Sequence, residues 1–378
     1  MTAALLQIPI IGLGLEQFLL LAITAAAGGA FGAAVGALPA FIFTGFMVFL
    51  GEGLSILSDE VVALDGIAAT TLSAGITFPI GFGPITGPHV AFAGGVAATA
   101  YAGKKYPEME PDGWDYHFGK NILYAFGTKP DILAVGAVFG VIGLVIAQVL
   151  GGIGFPTDGV ALSIVITAFL GRAVFDYPLV GDARGSSLLD MSPFEREEPR
   201  VSADGGEPSE ARRASSEPRS DGGTVPEEHA GRLATEPWLP HQYEWRGVTA
   251  IGIAGSILGA FVYIQTGSIF LIYGLSAISL LFLNLGVEKM PVTHHITTLG
   301  AAGAAVATPM FGSTVAILLA GMVVGTLSAL VGELTQRIFY SHSGTHIDPP
   351  AMAFSVMLFL IGVLHLAGLL PNAAYLGI

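Results

Sequence analysis

The sequence contains no cysteine. Disulfide bonds, thiol catalysis and thiolate metal sites are therefore excluded. Charged residues are scarce as well, because they make up 12% of the 378 residues, about half the fraction in an average soluble protein. Only five of the fifteen basic residues are lysines. The net charge of −14 argues against a nucleic-acid partner, and an acid excess with a preference for arginine is typical of a salt-loving archaeon.

The sequence motifs of common enzyme classes are also absent. We find no His-Glu-x-x-His, no Gly-x-Ser-x-Gly, no nucleotide-binding loop and no dinucleotide fingerprint. We therefore predict that the protein is not an enzyme and uses no cofactor. An ATP-driven pump is disfavoured for the same reason.

Hydrophobic residues dominate the chain, at 52% of the sequence with a mean hydropathy of +0.69. Uncharged runs such as Gln17–Gly51, Ile132–Thr157 and Gly247–Val287 are long enough for membrane-spanning helices, which need about 20 apolar residues each. The alternating pattern of an outer-membrane barrel is absent. The 52 glycines suit the close packing of helices in lipid. The sequence thus predicts an all-α, multi-pass protein of the cell membrane, surrounded by lipids.

Most charges fall in one stretch, Leu179–Arg246, which holds eight of the fifteen basic and fourteen of the twenty-nine acidic residues. Its low apolar content predicts a disordered linker. The linker separates a first hydrophobic half, Met1–Pro178, from a second, Gly247–Ile378. By the length criterion the halves together contain about ten spans. The predicted spans are Gln17–Leu38, Pro39–Leu57, Pro84–Ala102, Asp131–Leu150, Gly159–Phe175, Val248–Ile264, Ser268–Val287, Val292–Met310, Ser313–Leu334 and Ala351–Leu370.

The two halves resemble each other in five short segments that occur in the same order, which predicts two internal repeats. Lysine and arginine positions place the loop at 104–129, the linker and Arg337 in the cytoplasm. Counting spans then suggests inverted repeats, whereas the positions of a repeated Gly-Thr-x-x-Asp motif suggest parallel ones. The segment Ala63–Gly83 is either a further span or a re-entrant piece, so the relative orientation stays open. The matching segments are FGA at 31 and LGA at 258, IFTGF at 42 and LIYGL at 271, PIT at 84 and PVT at 291, His89 and His295, and NILY at 121 and RIFY at 337.

The repeated Gly-Thr-x-x-Asp motif ends at Asp131 in the first half and at Asp348 in the second. Each acid precedes an apolar run, where a carboxylate can cap the free amides of a helix. A pair of helix caps at the membrane surface is therefore the simpler interpretation. A carboxylate deeper in lipid would instead indicate an ion or proton route.

Histidines follow a Pro-x-Thr turn in both halves and precede a segment rich in small residues. Imidazole is costly at lipid depth unless it is hydrogen-bonded or faces water. Broken helices hold polar groups near mid-membrane sites in many transporters, although helix caps at the interface are an equal alternative. The predicted substrate-pathway residues are Thr86, His89, Asp131, Thr293, His294, His295 and Asp348.

A third cluster, His342, His346 and Asp348, has side chains that could ligate a metal. The first half has Ala125 and Lys129 where these histidines fall, so such a site would not be duplicated. A surface cluster explains these residues better, and we predict no metal.

The segment THIDPPAMAF, together with Thr293–His295, resembles the membrane family named for its His-Pro-Pro motif, which is proposed to carry nitrite. Asp348 stands where the histidine of that motif would fall. The stretches AGGAFGAAVGALPAFIFTGF and GPHVAFAGGVAATAYAGKK are similar to an uncharacterised prokaryotic integral membrane family that is common in haloarchaea. This second resemblance covers most of the chain and implies no activity.

These observations together predict a secondary transporter or channel-like permease for a small ion or polar solute. The alternative is a non-transporting scaffold or a subunit of a larger membrane complex. An intramembrane enzyme is a third and weaker alternative. The sequence leaves open whether the chain forms a homo-oligomer.

Overall fold

The computed structural model describes residues 8, 10–65, 75–114, 116–200 and 232–378, with the backbone alone for residues 59–65. These residues form helices, turns and one isolated antiparallel bridge between Pro199 and Leu233, and they contain no β-strand. π-helical turns occur at Thr77–Gly81 and Gln336–Tyr340. The α-helices discussed below are α1 (Leu15–Val35), α2 (Ala37–Asp65), α3 (Ala91–Lys105), α4 (Pro130–Gly152), α5 (Gly159–Val174), α6 (Ser192–Glu195), α7 (Trp245–Thr266), α8 (Phe270–Asn284), α9 (His294–Ala307), α10 (Thr314–Thr335) and α11 (Pro349–Leu366).

Six stretches of helix among the described residues are long and apolar enough to cross a membrane, and they lie in α1, α2, α4, α7, α10 and α11. Their outward faces carry apolar side chains, such as Ile23, which is 71% exposed, and Leu366, which is 63% exposed. Apolar surface of this extent is unfavourable in water. The fold is therefore consistent with a multi-pass membrane protein.

The other predicted spans fall on shorter helices. α3, α5, α8 and α9 have 15, 16, 15 and 14 residues, below the length that crosses a bilayer alone. Part of Ala63–Gly83 lies outside the described residues, and residues 77–90 form a π-helical turn and further turns before α3. A total of ten spans thus stays a prediction.

The helices form two bundles of three: α1, α3 and α4 pack together, and so do α7, α9 and α10. Glycine makes the closest contacts. Gly32 on α1 lies against the carbonyl oxygen of Ala91 on α3, and Gly259 on α7 lies against that of Thr297 on α9. A Cβ atom on either glycine would overlap the oxygen. Helices in lipid associate by such close packing of small residues.

Between the bundles, α2 and α8 cross in antiparallel directions. A Cβ on Gly45 would lie 2.9 Å from the amide nitrogen of Ile278, and a Cβ on Gly274 would lie 2.7 Å from that of Phe49. Gly45 matches Gly274 in the alignment of the two halves, and Phe49 matches Ile278. The contact is thus reciprocal, as contacts about a twofold axis are. Because the helices are antiparallel, such an axis would run across them.

The helices α5 and α11 also lie antiparallel, with their N-terminal parts side by side. Thr157, just before α5, donates a hydrogen bond to the carbonyl oxygen of Ser355 in α11 (2.7 Å). Near the other end of α5, Arg172 Nε donates to Thr345 Oγ1, just before α11 (2.8 Å). The first turns of the two helices therefore overlap near the middle of the molecule.

The described residues at both ends of the predicted linker, Leu179–Arg246, are packed on the protein. We call residues 187–200 and 232–243 the linker base. Arg337 fixes it by donating to the carbonyl oxygens of Leu189 (2.7 Å) and Tyr243 (2.8 Å). Met191 and Leu239 are buried in it, and these few apolar side chains anchor an otherwise polar sequence. Residues 201–231 lie outside the described residues.

We expect Gly32→Ala and Gly259→Ala each to lower the free energy of unfolding of the purified protein by about 1–3 kcal/mol or more, and so to lower its melting temperature, because the new methyl group must displace a backbone carbonyl. Gly53→Ala is the matched control, since no atom lies within 4 Å of a Cβ at Gly53 in α2. That change removes a helical glycine and leaves stability equal or higher. Equal melting temperatures for all three variants would contradict the prediction.

Candidate functional site

A cavity of about 40 Å³ lies between the two halves, where α5 and α11 overlap. A water molecule needs roughly 10–15 Å³ by this measure, so the cavity accommodates a few waters or a small ion. Its wall is largely aromatic and includes two carboxylates. The lining residues are Phe41, Phe82, Pro88, Asp158, Val160, Ala161, Ile164, Phe270, Tyr273, His294, Thr298, Asp348, Ala351, Phe354 and Tyr375.

Most of this wall consists of residues at matching positions of the two halves. Phe41 and Phe270 directly precede the matching segments IFTGF and LIYGL, and Pro88 and His294 directly precede His89 and His295. Three further pairs stand at the same steps of α5 and α11. Those pairs are Asp158 with Asp348, Ala161 with Ala351, and Ile164 with Phe354.

Asp158 caps the N-terminus of α5. One carboxylate oxygen accepts the amide of Ala161 (2.9 Å), and the other accepts the hydroxyl of Tyr375 (2.6 Å). The Thr-Asp-Gly sequence before an apolar run predisposes the chain to start a helix here. The cap therefore brings a carboxylate to the cavity.

Asp348 does the same for α11. One of its oxygens accepts the amide of Ala351 (2.8 Å), and the other lies 3.2 Å from His346 Nε2. Pro349 and Pro350 occupy the first helical positions, where a proline wastes no amide donor. At the N-terminus of each helix, the positive end of the helix dipole thus faces a carboxylate, which also accepts a hydrogen bond from a free backbone amide of the first turn.

Two buried side chains in the wall have polar atoms without a hydrogen-bond partner: His294 Nδ1 and Thr298 Oγ1. The His294 ring lies among aromatic rings, with centroids 4.8 Å from Phe41 and 6.1 Å from Tyr273. A buried polar atom without a partner costs about 1–3 kcal/mol, which a bound water or ligand offsets. The wall of the cavity thus includes two polar side chains with unsatisfied atoms.

Of the predicted pathway residues, the structure brings His294 and Asp348 to the cavity. His89 and His295 instead lie buried in separate bundles. The carbonyl oxygen of His89 meets Gly143 on α4, and that of His295 accepts a hydrogen bond from Ser328 on α10 (3.1 Å). No described contact joins the two imidazoles. The residues directly before them, Pro88 and His294, both line the cavity.

The two threonines have structural contacts. Thr86 donates to the carbonyl oxygen of Ile80 (2.7 Å), and its own carbonyl accepts from Thr44. The carbonyl oxygen of Thr293 accepts the amide of Thr297 (2.9 Å), which starts α9. Both residues hold the turns that precede α3 and α9.

Asp131 lies at the end of the molecule that the linker base covers. Its carboxylate accepts the hydroxyl of Tyr106 (2.5 Å) and that of Tyr101 (3.1 Å). Asp131 lies in the first turn of α4, whose position in the first bundle corresponds to that of α10 in the second. Asp348 precedes α11, which lies outside the bundles, so the two acids start helices with different surroundings. The residue placed like Asp348 is Asp158, which the repeated motif did not reveal. The available signal was its own capping sequence before an apolar run.

The third cluster is not arranged as a metal site. Among the described residues no three His, Asp or Glu side chains are grouped closely enough to hold a metal. His342 Nε2 lies 3.0 Å from the carbonyl oxygen of Leu188 in the linker base, and His346 faces Asp348.

Glu236 of the linker base is the centre of a buried ion cluster. Lys120 Nζ is 2.7 Å from one of its carboxylate oxygens, and Arg232 Nη2 is 3.1 Å from the other. The Lys120 ammonium also lies 4.4 Å from the centre of the Tyr340 ring. Burial lowers the pKa of Lys120 to about 7, and the Glu236 carboxylate only partly offsets this effect. Burial raises the pKa of Glu236, but Lys120, Arg232 and Arg200 outweigh it, so this pKa lies below its ordinary value.

Comparison with known proteins gives a family and nothing closer. Residues 10–378 match the model of a family described as a family of unknown function, DUF7973. No curated protein and no solved structure matches the chain.

We expect Glu236→Gln to destabilise the protein by about 3–5 kcal/mol, because it leaves two buried cations without their carboxylate. Glu198→Gln is the control, since Glu198 pairs with Arg196 in a contact that solvent reaches, and such pairs contribute about 0–1 kcal/mol. Thermal unfolding of the purified protein in detergent compares them. A loss no larger for Glu236→Gln than for Glu198→Gln would rule out a stabilising role for the cluster.

Lys120 should give the protein a pH-dependent stability. Its pKa falls from 10.5 in the unfolded chain to about 7 on folding, so between these values the unfolded chain binds the extra proton. Stability from this group therefore rises with pH across that window, by at most about 1.4 kcal/mol per pH unit. The melting temperature of the unaltered protein should rise relative to Lys120→Met between pH 7 and pH 10. Parallel curves for the two proteins would contradict this expectation, and Lys129→Met should track the unaltered protein.

Proposed function

We propose that this chain, which belongs to the family of unknown function DUF7973, is a secondary transporter or channel-like permease for a small ion or polar solute. Its substrate site would be the cavity between two inverted repeats in the membrane. The observation that carries this proposal is that residues at matching positions of the two halves line one shared cavity.

Matching packing supports the repeats. Gly32 and Gly259 contact the residue two positions after His89 and His295, respectively. The reciprocal contact of α2 with α8 and the antiparallel pairing of α5 with α11 favour an axis in the membrane plane. This arrangement implies inverted repeats, and it relates Asp348 to Asp158. The two Gly-Thr-x-x-Asp motifs would then be similar in sequence without being equivalent in the repeats.

The position of the cavity supports transport. Transporters built from inverted repeats bind substrate near mid-membrane, at the interface of the repeats and beside the ends of interrupted helices. Here the starts of α5 and α11 border the cavity from opposite directions. A scaffold has no need for polar atoms without partners in a cavity between its halves.

Two contacts are suited to gate this route. On the side of the linker base, Arg172 holds Thr345 with two hydrogen bonds, to Oγ1 (2.8 Å) and to the carbonyl oxygen (3.0 Å). On the opposite side, Tyr375 holds Asp158 (2.6 Å). In alternating access these contacts would open in turn.

The test is solute flux into liposomes that contain the purified full-length protein, with a panel of inorganic cations, anions and small polar solutes. We expect flux of one class of solute. Ala161→Leu and Ala351→Leu should each lower it at least tenfold, because both fill the cavity. Val138→Leu is the control, since Val138 is 57% exposed on the outer surface of α4.

Melting temperature and gel filtration verify that each variant is folded. Folded protein that passes none of these solutes would overturn the transport proposal and favour the scaffold. Unchanged flux in both folded cavity variants would place the route elsewhere.

A further inference from the structure

We propose that the cavity binds a small monovalent cation, either an alkali ion or ammonium. The inference names a substrate or coupling ion for the site proposed above, and it rests on that site. The observation behind it is the chemistry of the wall, where two carboxylates, several aromatic side chains and two polar side chains with unsatisfied atoms line one small volume.

The fixed charge of the wall is negative. Asp158 and Asp348 line the cavity, and among the described residues no lysine or arginine does. Helix N-termini attract anions, but the starts of α5 and α11 are each satisfied by their own capping carboxylate. An anion would therefore meet two carboxylates and no free positive group. A cation would meet complementary charge at both ends of the cavity.

The wall also offers neutral ligands. Thr298 and His294 line the cavity, and their atoms Oγ1 and Nδ1 are buried and have no hydrogen-bond partner. A hydroxyl oxygen can coordinate an alkali ion, and both atoms can accept a hydrogen bond from ammonium. A bound cation would remove the cost of leaving these atoms without partners.

Aromatic faces complete the wall. Phe82 packs against Tyr273 and Phe270 against Tyr375, with ring centroids 5.2 Å and 4.9 Å apart, respectively. Such rings attract cations through their negative faces, most strongly where water is excluded.

The ligand set favours one positive charge over two. Calcium takes six to eight oxygen ligands and magnesium demands octahedral geometry. Asp158 and Asp348 each use one oxygen on a helix cap, and the other oxygen contacts Tyr375 or His346, respectively. Among the described residues no three acids or histidines are grouped closely enough to hold a metal ion. A cavity of about 40 Å³ suits a small ion with one or two waters.

The test measures binding without transport. The melting temperature of the purified full-length protein in detergent is recorded in potassium, sodium or ammonium chloride, against N-methylglucamine chloride at the same ionic strength. A ligand that binds only the folded protein raises its stability with concentration. We expect a saturable rise for at least one of the small cations and none for the bulky one.

Charge-removing variants localise the effect. Asp158→Asn and Asp348→Asn keep the volume and the helix cap, because asparagine caps as well as aspartate. Each should weaken the apparent cation affinity at least tenfold. Thr298→Ala should weaken it about threefold or more and does not alter a helix start. Asp131→Asn, an acid before an apolar helix but outside the cavity, should respond as the unaltered protein does.

The outcomes separate this inference from the proposed function. The inference is overturned if no small cation raises the melting temperature above the glucamine control, or if all three cavity variants respond like the unaltered protein. Flux of an anion or neutral solute without any cation response would keep transport and reject the cation. A cation response that the cavity variants lose, in liposomes that pass no solute, would keep the site and reject transport.

Discussion

Contact between helix backbones at glycine is the constraint on which this structure depends. Where Gly32 meets Ala91 and Gly259 meets Thr297, no side chain separates the helices. In lipid the hydrophobic effect does not hold helices together, so packing at this distance supplies the attraction. Between the bundles lie α5 and α11, and each of these helices starts with a polar cap, Asp158 or Asp348.

The cavity follows from how two helices begin. A helix start inside the molecule leaves amide donors that need an acceptor, and aspartate is a strong one. Asp158 and Asp348 meet this local need, and the antiparallel overlap of α5 and α11 brings both carboxylates to one cavity. The cap interpretation of Asp348 and the functional one are thus compatible, because the same carboxylate that starts the helix also charges the wall.

Composition alone predicted an all-helical fold with helices long and apolar enough to cross a membrane, and the described residues have both features. The residues that pair across the molecule were harder to predict. Asp131 and Asp348 share a motif, but the motif occurs at ends of helices with different neighbours, and sequence similarity in apolar segments cannot separate such cases. The packing of the linker ends could not be predicted either. In the sequence, Glu236 and Arg232 belong to a charged stretch that suggests exposure to solvent, and only the structure shows that Glu236 is buried beside Lys120 and Arg232. Burial depends on tertiary neighbours that local composition does not encode.

The wall of the cavity is less symmetric than the backbone around it. Where the second half presents the imidazole of His294, the first presents Pro88, and Phe354 stands opposite the smaller Ile164. An occupant would therefore meet an imidazole at one of these matching positions and a proline at the other. The two halves therefore present different side chains to the cavity even where their positions match, so the chemical environment differs from one side of the cavity to the other.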